Sequence, residues 1–140
     1  MPGTIRRATD ADRARISEIR FAVKENILRD RSRVTDEIVT WFIINPGIWL
    51  WEEDGKVLGF SAADTRDGTI FALFVDPAHE GRGIGRALFT RALDSLRAAG
   101  HRTGSLTTEP GSRADRFYQK AGWKVMGTTD SGERIFEGEL

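Results

Sequence analysis

The sequence predicts a mixed α/β (α+β) layer architecture, with elements in the order β-α-α-β-β-β-α-β-α-β-β. Three observations predict it. Between residues 47 and 64, two β-rich runs flank Asp54-Gly55, a dipeptide suited to the two positive-φ positions of a tight type I′ hairpin turn. The run TIFALFV at 69–75 is apolar on both faces, as a central strand requires. Directly after it, HEGRGIGRAL (79–88) sets Gly81, Gly83 and Gly85 at alternate positions. Ile84, Leu88, Ala92 and Leu96 then mark a helix that reaches Ala99 and stops at Gly100.

The remaining elements follow in chain order. Residues 4–8 read as a short strand. Thr9 and Asp10 offer caps for an amphipathic helix over 11–28, with Ile16, Ile19, Val23 and Ile27 at helical spacing. The polar stretch RDRSR (29–33) is a loop. Thr35 caps a second helix with Ile38, Trp41 and Phe42 on one face, and Asn45-Pro46 stops it. In the hairpin, Trp49 and Trp51 fall on one strand face and are assigned to the core. A turn at 66–68 leads into the central strand, which Asp76-Pro77 ends. RTGSLTT (102–108) is a strand. Ser112 and Asp115 fit a capping box that opens a short helix ending at Gly122. WKVMG and ERIFEGEL are the last two strands, around Asp130-Ser131-Gly132.

Composition limits the function classes. A chain of 140 residues suggests one domain over 1–140, long enough to bury a real core. Twenty-one basic residues balance twenty-one acidic ones, so the chain as a whole carries no electrostatic footprint for nucleic acid or an anionic membrane. With no cysteine there is no disulfide, zinc–thiolate site or thiol nucleophile. The N-terminal stretch lacks the apolar run of a signal peptide, so the expected location is the cytoplasm.

The glycines point to a phosphate. They lie where a helix opens after a buried strand. A helix N-terminus presents unpaired N–H groups and partial positive charge, and glycine lets a ligand approach the backbone closely. Arg82 and Arg86 add charge-assisted donors. Two common phosphate motifs do not fit. No Gly-Lys-Ser/Thr completes a P-loop, and Leu88 stands where the dinucleotide fingerprint needs its third glycine.

The stretch LFVDPAHEGRGIGRAL resembles the acyl-CoA pyrophosphate loop of the GNAT superfamily of N-acyltransferases, Gln/Arg-x-x-Gly-x-Gly/Ala, on Glu80, Gly81, Arg82, Gly83, Ile84 and Gly85. FYQKAGWKV is similar to the family's Phe-Tyr-x-x-x-Gly-Phe/Trp segment, on Phe117, Tyr118, Gly122 and Trp123. Two departures stand out. Glu80 occupies a position usually held by Gln or Arg, and Gly111 one where many relatives have Asn. The resemblance implies a GNAT-like fold with a mixed central sheet and transfer of an acetyl group from acetyl-CoA directly to an amine, without a metal. The amine belongs to a small molecule or a protein, and a homodimer is compatible. A non-catalytic CoA-binding sensor or structural module is the alternative.

The resemblance also implies site roles. CoA is held by Gly81, Arg82, Gly83, Ile84, Gly85, Arg86 and Ala87. Backbone N–H groups near Phe74 and Val75 polarise the thioester. Tyr118, the single tyrosine of the chain, protonates the departing sulfur. A phenol with a reference pKa of about 10 stays protonated at neutral pH and can donate. On the short helix, Phe117 is assigned to the core with Ala114 and Ala121, which leaves Tyr118 for another environment. Lys24-Glu25-Asn26 belong to the family's variable acceptor wall, where Glu25 can meet a cation and Asn26 can donate and accept. Candidates for the base are Glu25, Glu52, Asp64 and Glu109, with a water relay as the equal alternative. His79 and His101 sit in loops.

Overall fold

A computed structural model describes residues 3–22, 36–45 and 47–140. The expectations for Val23 and Ile27, the 29–33 loop, Thr35 and Pro46 lie outside the described residues, as do those for Glu25 and Asn26. The chain begins with β1 (Thr4–Arg7), a 3-10 turn at Asp10–Asp12, α1 (Arg13–Ala22) and α2 (Asp36–Ile44). The hairpin strands β2 (Ile48–Glu53) and β3 (Lys56–Asp64) precede β4 (Thr69–Val75), and a 3-10 turn at Pro77–His79 leads to α3 (Ile84–Ala98). Then come β5 (Thr103–Thr108), α4 (Arg113–Lys120), β6 (Lys124–Thr128) and β7 (Arg134–Glu139).

The seven strands form one sheet in the order β1-β2-β3-β4-β5-β7-β6. Every neighbouring pair is antiparallel except β4–β5, so the sheet is mixed and β4 is its middle strand. At the hairpin, Asp54 (φ 49°) and Gly55 (φ 77°) both take the positive values a type I′ turn demands.

Helices cover both faces. Ile16 and Ile19 from α1 and Phe42 from α2 pack on Leu50, Phe60, Ala72 and Phe74. Phe89, Ala92 and Leu96 from α3 pack on Ile70, Leu106 and Phe136 with Trp123 and α4. A bulge in β4 divides that strand between the two cores. Ala62 pairs with Ala72 but Ala63 pairs with Ile70, which leaves Phe71 as an extra residue. Ile70 therefore faces α3, while Ala72 and Phe74 face α1 and α2.

The capping box on α4 differs in detail from its sequence expectation. Ser112 Oγ accepts from the Asp115 N–H at 3.1 Å, as expected. The Asp115 carboxylate, however, accepts from the N–H of Gly111 (2.8 Å), one residue earlier, and not from that of Ser112. Gln119 (3.0 Å) and Arg134 (2.7 Å) also donate to it, so this buried carboxylate ties α4 to β7. Burial alone would raise the Asp115 pKa. The Gly111 N–H, Gln119 and Arg134 overcome that and hold it below the usual carboxylate value. Near the N-terminus, Asp12 accepts from the Thr9 N–H at 2.7 Å, and the Arg6 guanidinium beside it holds its carboxyl low.

Candidate active site

β4 and β5 are paired at one position only, Thr69, the first residue of β4, with Ser105, the third of β5. Beyond it the two parallel strands separate. A cleft of about 350 Å³ opens there, a volume within the small-molecule range. Phe71, Leu73 and Phe74 line it from β4, Thr107 and Thr108 from β5, and Tyr118 from α4. Along this edge the facing N–H and C=O groups of both strands are left out of the ladder and can serve a ligand.

At its far end β4 runs into the glycine-rich loop. Asp76 steers the turn: its N–H bonds Leu58 O (2.8 Å), its carboxylate accepts from the Ala78 N–H (3.0 Å), and Arg15 bridges to it (2.8 Å). Gly81 (φ 79°) and Gly83 (φ 85°) both adopt the left-handed conformation that disfavours any residue with a Cβ. A Cβ on Gly83 would meet nothing within 4 Å, so the space beside it is open. Gly83 caps α3, whose first helical bond runs from Ala87 N to Gly83 O at 3.1 Å. The N–H groups of Ile84, Gly85 and Arg86 have no carbonyl four residues back within the helix and point out of its end. N–H groups so placed at the start of a 15-residue helix are suited to an anion.

The expected CoA residues divide by role. Ile84 is buried with Leu58 and Leu88, so only its N–H is available to a ligand. Val75 is half-buried beside Ile84, and its Cγ2 is 3.6 Å from where a Gly85 Cβ would lie. Phe74 lines the cleft. The Arg82 guanidinium is turned onto Glu53 (2.6 Å) and His79 Nδ1 (3.0 Å), and the Glu53 carboxylate also accepts from Trp51 Nε1 (3.1 Å). Arg86 is exposed and Ala87 half-buried.

Tyr118 corrects the sequence reading. It is 5 % exposed and belongs to the core with Phe89, Trp123 and Phe136, whereas Phe117 is only partly buried. Positions 117 and 118 lie three and four residues after Ala114, so both flank one helical face and adjacency does not separate them. Tyr118 also lines the cleft, so core packing and access to a ligand coincide in one side chain. Burial pushes its phenol pKa up, which keeps it protonated across the neutral range.

The candidate bases are largely engaged. Glu52 pairs with Arg6 (3.2 Å), and Asp64, although it lines the cleft, is held by Arg66 (2.8 Å). Trp49 and Trp51 pack, partly buried, against Leu58, Ile84 and Leu88, in line with the core assignment. His101 meets Thr65 O at 2.7 Å. Among the described residues, no group of His, Asp or Glu could hold a metal, and no helix is long and apolar enough to cross a membrane. The β5 wall and the cleft-lining Glu133 and Ile135 were not singled out from sequence. No local motif marks them, because they line the cleft only through strand pairing.

Comparison with known proteins agrees with this geometry. The sequence profile of the "Acetyltransferase (GNAT) family" matches residues 14–123. A mycothiol acetyltransferase from Beutenbergia cavernae is 40% identical over 91 residues, 60% of this chain and 30% of that protein. An L-methionine sulfoximine/L-methionine sulfone acetyltransferase from Salmonella typhimurium is 36% identical over 111 residues, 69% of this chain and 65% of that protein. The chain thus spans less than two thirds of either relative. Among solved structures, yncA from Salmonella typhimurium, determined with its cofactor acetyl-CoA, superposes with a TM-score of 0.80 at 25% identity, covering 100% of this chain and 95% of that one.

Proposed function

Because the chain belongs to the acetyltransferase (GNAT) family, we propose that it is an N-acetyltransferase that moves an acetyl group from acetyl-CoA directly to an amine. The observation that carries the reading is the continuity of the site. β4 lines the open-edged cleft as far as Phe74 and runs on through Asp76 into the glycine-rich start of α3, whose N-terminal N–H groups suit a phosphate, and the protonated Tyr118 phenol lines the same cleft.

In this reading the N–H groups of residues 84–86 hold the pyrophosphate. Free backbone N–H groups near Phe74 and Val75 donate to the thioester oxygen as it gains negative charge. Tyr118 gives its proton to sulfur as the carbon–sulfur bond breaks, so CoA leaves as the thiol. The neutral acceptor nitrogen forms the new carbon–nitrogen bond and then loses a proton, which returns through water or a carboxylate to the Tyr118 phenolate, so the proton count balances. The absence of cysteine agrees with direct transfer, since no thiol can carry the acetyl group.

The acceptor is an amine of a small molecule or of a protein. The relatives named for mycothiol and for methionine sulfoximine or sulfone make small amines the first compounds to try. Glu25 and Asn26 are assigned to the acceptor wall. Their replacement by Gln and Ala should raise the acceptor's KM and leave CoA binding unchanged. The decisive experiment is an amine screen with acetyl-CoA, reading free thiol as CoA is released. Turnover on any amine supports the enzyme. Tight CoA binding without turnover on any amine leaves the chain a CoA-binding module.

A further inference from the structure

Arg82 lies between Gly81 and Gly83, both in the left-handed conformation. Glycine on either side gives this stretch wide backbone freedom, so its arrangement needs a fixed point. The Arg82 side chain supplies one. It donates to Glu53 Oε1 at 2.6 Å and to His79 Nδ1 at 3.0 Å. A guanidinium only donates, so His79 Nδ1 is the acceptor. The two partners come from different elements. His79 ends the 3-10 turn that leads into the loop, and Glu53 is the last residue of β2.

Glu53 is itself held. Its Oε1 also accepts from Trp51 Nε1 at 3.1 Å, and its side chain is only 15% exposed. Trp51 packs against the cluster of Leu58, Ile84 and Leu88, which seats the first turn of α3. Arg82 first, and Trp51 after it, keep the Glu53 carboxyl below the usual carboxylate value, so it is charged at neutral pH.

We infer that Glu53 is a positioning residue for the CoA site: through Arg82 it holds the glycine-rich loop in the arrangement that presents the N–H groups of residues 84–86. The inference rests on the CoA reading above. Arg82 then ties the loop to the hairpin and is not itself a phosphate ligand. The sign of one substitution separates the two roles. A carboxylate close to a phosphate site repels the ligand, so charge alone predicts that its removal tightens CoA, the more so if Arg82 is released to the phosphate. If Glu53 orders the loop, its removal weakens CoA, because binding must then supply that order.

Calorimetric titration with CoA and residue-resolved hydrogen exchange of the ligand-free protein test this on the parent chain, Glu53→Ala, Arg82→Ala and the double variant. Asp54→Asn serves as a charge control on the same hairpin. Glu53→Ala should weaken CoA about threefold in the parent and have no effect in the Arg82→Ala background. Asp54→Asn should bind as the parent does. Without ligand, both single variants should speed exchange at the Ala87 N–H, which makes the first bond of α3 to Gly83 O, and leave the Phe60 N–H of β3 at its parental rate. Unchanged or tighter CoA binding in Glu53→Ala overturns the inference. Equal weakening in both backgrounds, or equal weakening by Asp54→Asn, overturns the route through Arg82. Parental exchange at Ala87 overturns the hold on the loop, and an equal rise at Phe60 makes Glu53 a support of the whole fold and overturns its positioning role. A parent chain that does not bind CoA overturns the acetyl-CoA reading, while the exchange at Ala87 still decides whether Glu53 holds the loop.

Discussion

The two edges of β4 behave differently. Against β3 it is paired from Thr69–Asp64 to Val75–Gly59, interrupted only by the extra Phe71. Against β5 it is paired at Thr69 alone. Composition does not explain the difference, because the same residues present both edges. The closed edge commits its backbone groups to the sheet, and the open edge leaves them unpaired. A run of apolar residues can thus be core by its side chains and binding site by its main chain.

The largest expected effect is on the chemistry beside the open edge. Tyr118→Phe keeps the ring in its pocket and removes the hydroxyl proposed as the proton donor. Turnover should fall by about 10²–10⁴-fold while CoA affinity stays similar. The raised phenol pKa adds a pH signature: the proton is in place below the reference value of about 10 and is lost only as pH rises beyond it, so Tyr118 cannot supply an alkaline limb near neutrality. Near-parental turnover would make Tyr118 a packing residue.

The closed side should respond in stability. Phe60 on β3 is buried against Phe74, and Phe60→Ala should cost about 3–5 kcal/mol in urea unfolding. A cost below about 1 kcal/mol would mean that the closed edge is not where the fold is held. Between these extremes lies the loop. Gly83→Val should abolish measurable CoA binding and also strain a left-handed position by about 1–2 kcal/mol. Gly85→Ala separates the two effects, because its Cβ meets Val75 at an ordinary 3.6 Å. It should fold like the parent and bind CoA less tightly, and parental affinity would remove Gly85 from the proposed phosphate site.

Asp115 offers a test by pH. Its pKa is held below the usual carboxylate value, so its contribution is present above that value and lost as pH falls through the lower folded one. Asp115→Asn should therefore destabilise by about 1–3 kcal/mol at pH 7, and the gap should narrow in strong acid. A gap independent of pH would rule out the carboxylate charge as its source. The smallest change is expected at Thr107, a half-buried residue on the open side. Thr107→Ala should leave stability within about 0.5 kcal/mol while shifting a KM, and destabilisation with unchanged KM would reverse the contrast between the edges.

Much of this was legible in the sequence because it is local. Asp54-Gly55, the strand-to-loop sequence through Asp76-Pro77 and the glycines before α3 each need only their neighbours to be understood. The separation of β4 from β5 was not legible. It depends on how two strands 34 residues apart pair (Thr69 to Thr103), and nothing in TIFALFV or TGSLTT marks which rungs form. Tyr118 was misread for a different reason. One helical face is wide enough for Phe117 and Tyr118 together, so placing one in the core does not expel the other.

The extra residue at Phe71 gives β4 a parity. Odd and even positions exchange faces at that point, so Ile70 and Ala72 serve different cores although they are two apart. Substitutions along this strand are questions of volume and can be judged one site at a time. Insertions and deletions are questions of counting: losing a paired residue would send every side chain on one side of the break to the opposite face and invert the free backbone groups of the open edge, whereas losing the extra Phe71 would restore regular alternation. Over evolutionary time β4 should tolerate changes of residue type far more readily than any change of length, and comparing gap positions among relatives would reveal that rule without a single measurement of activity.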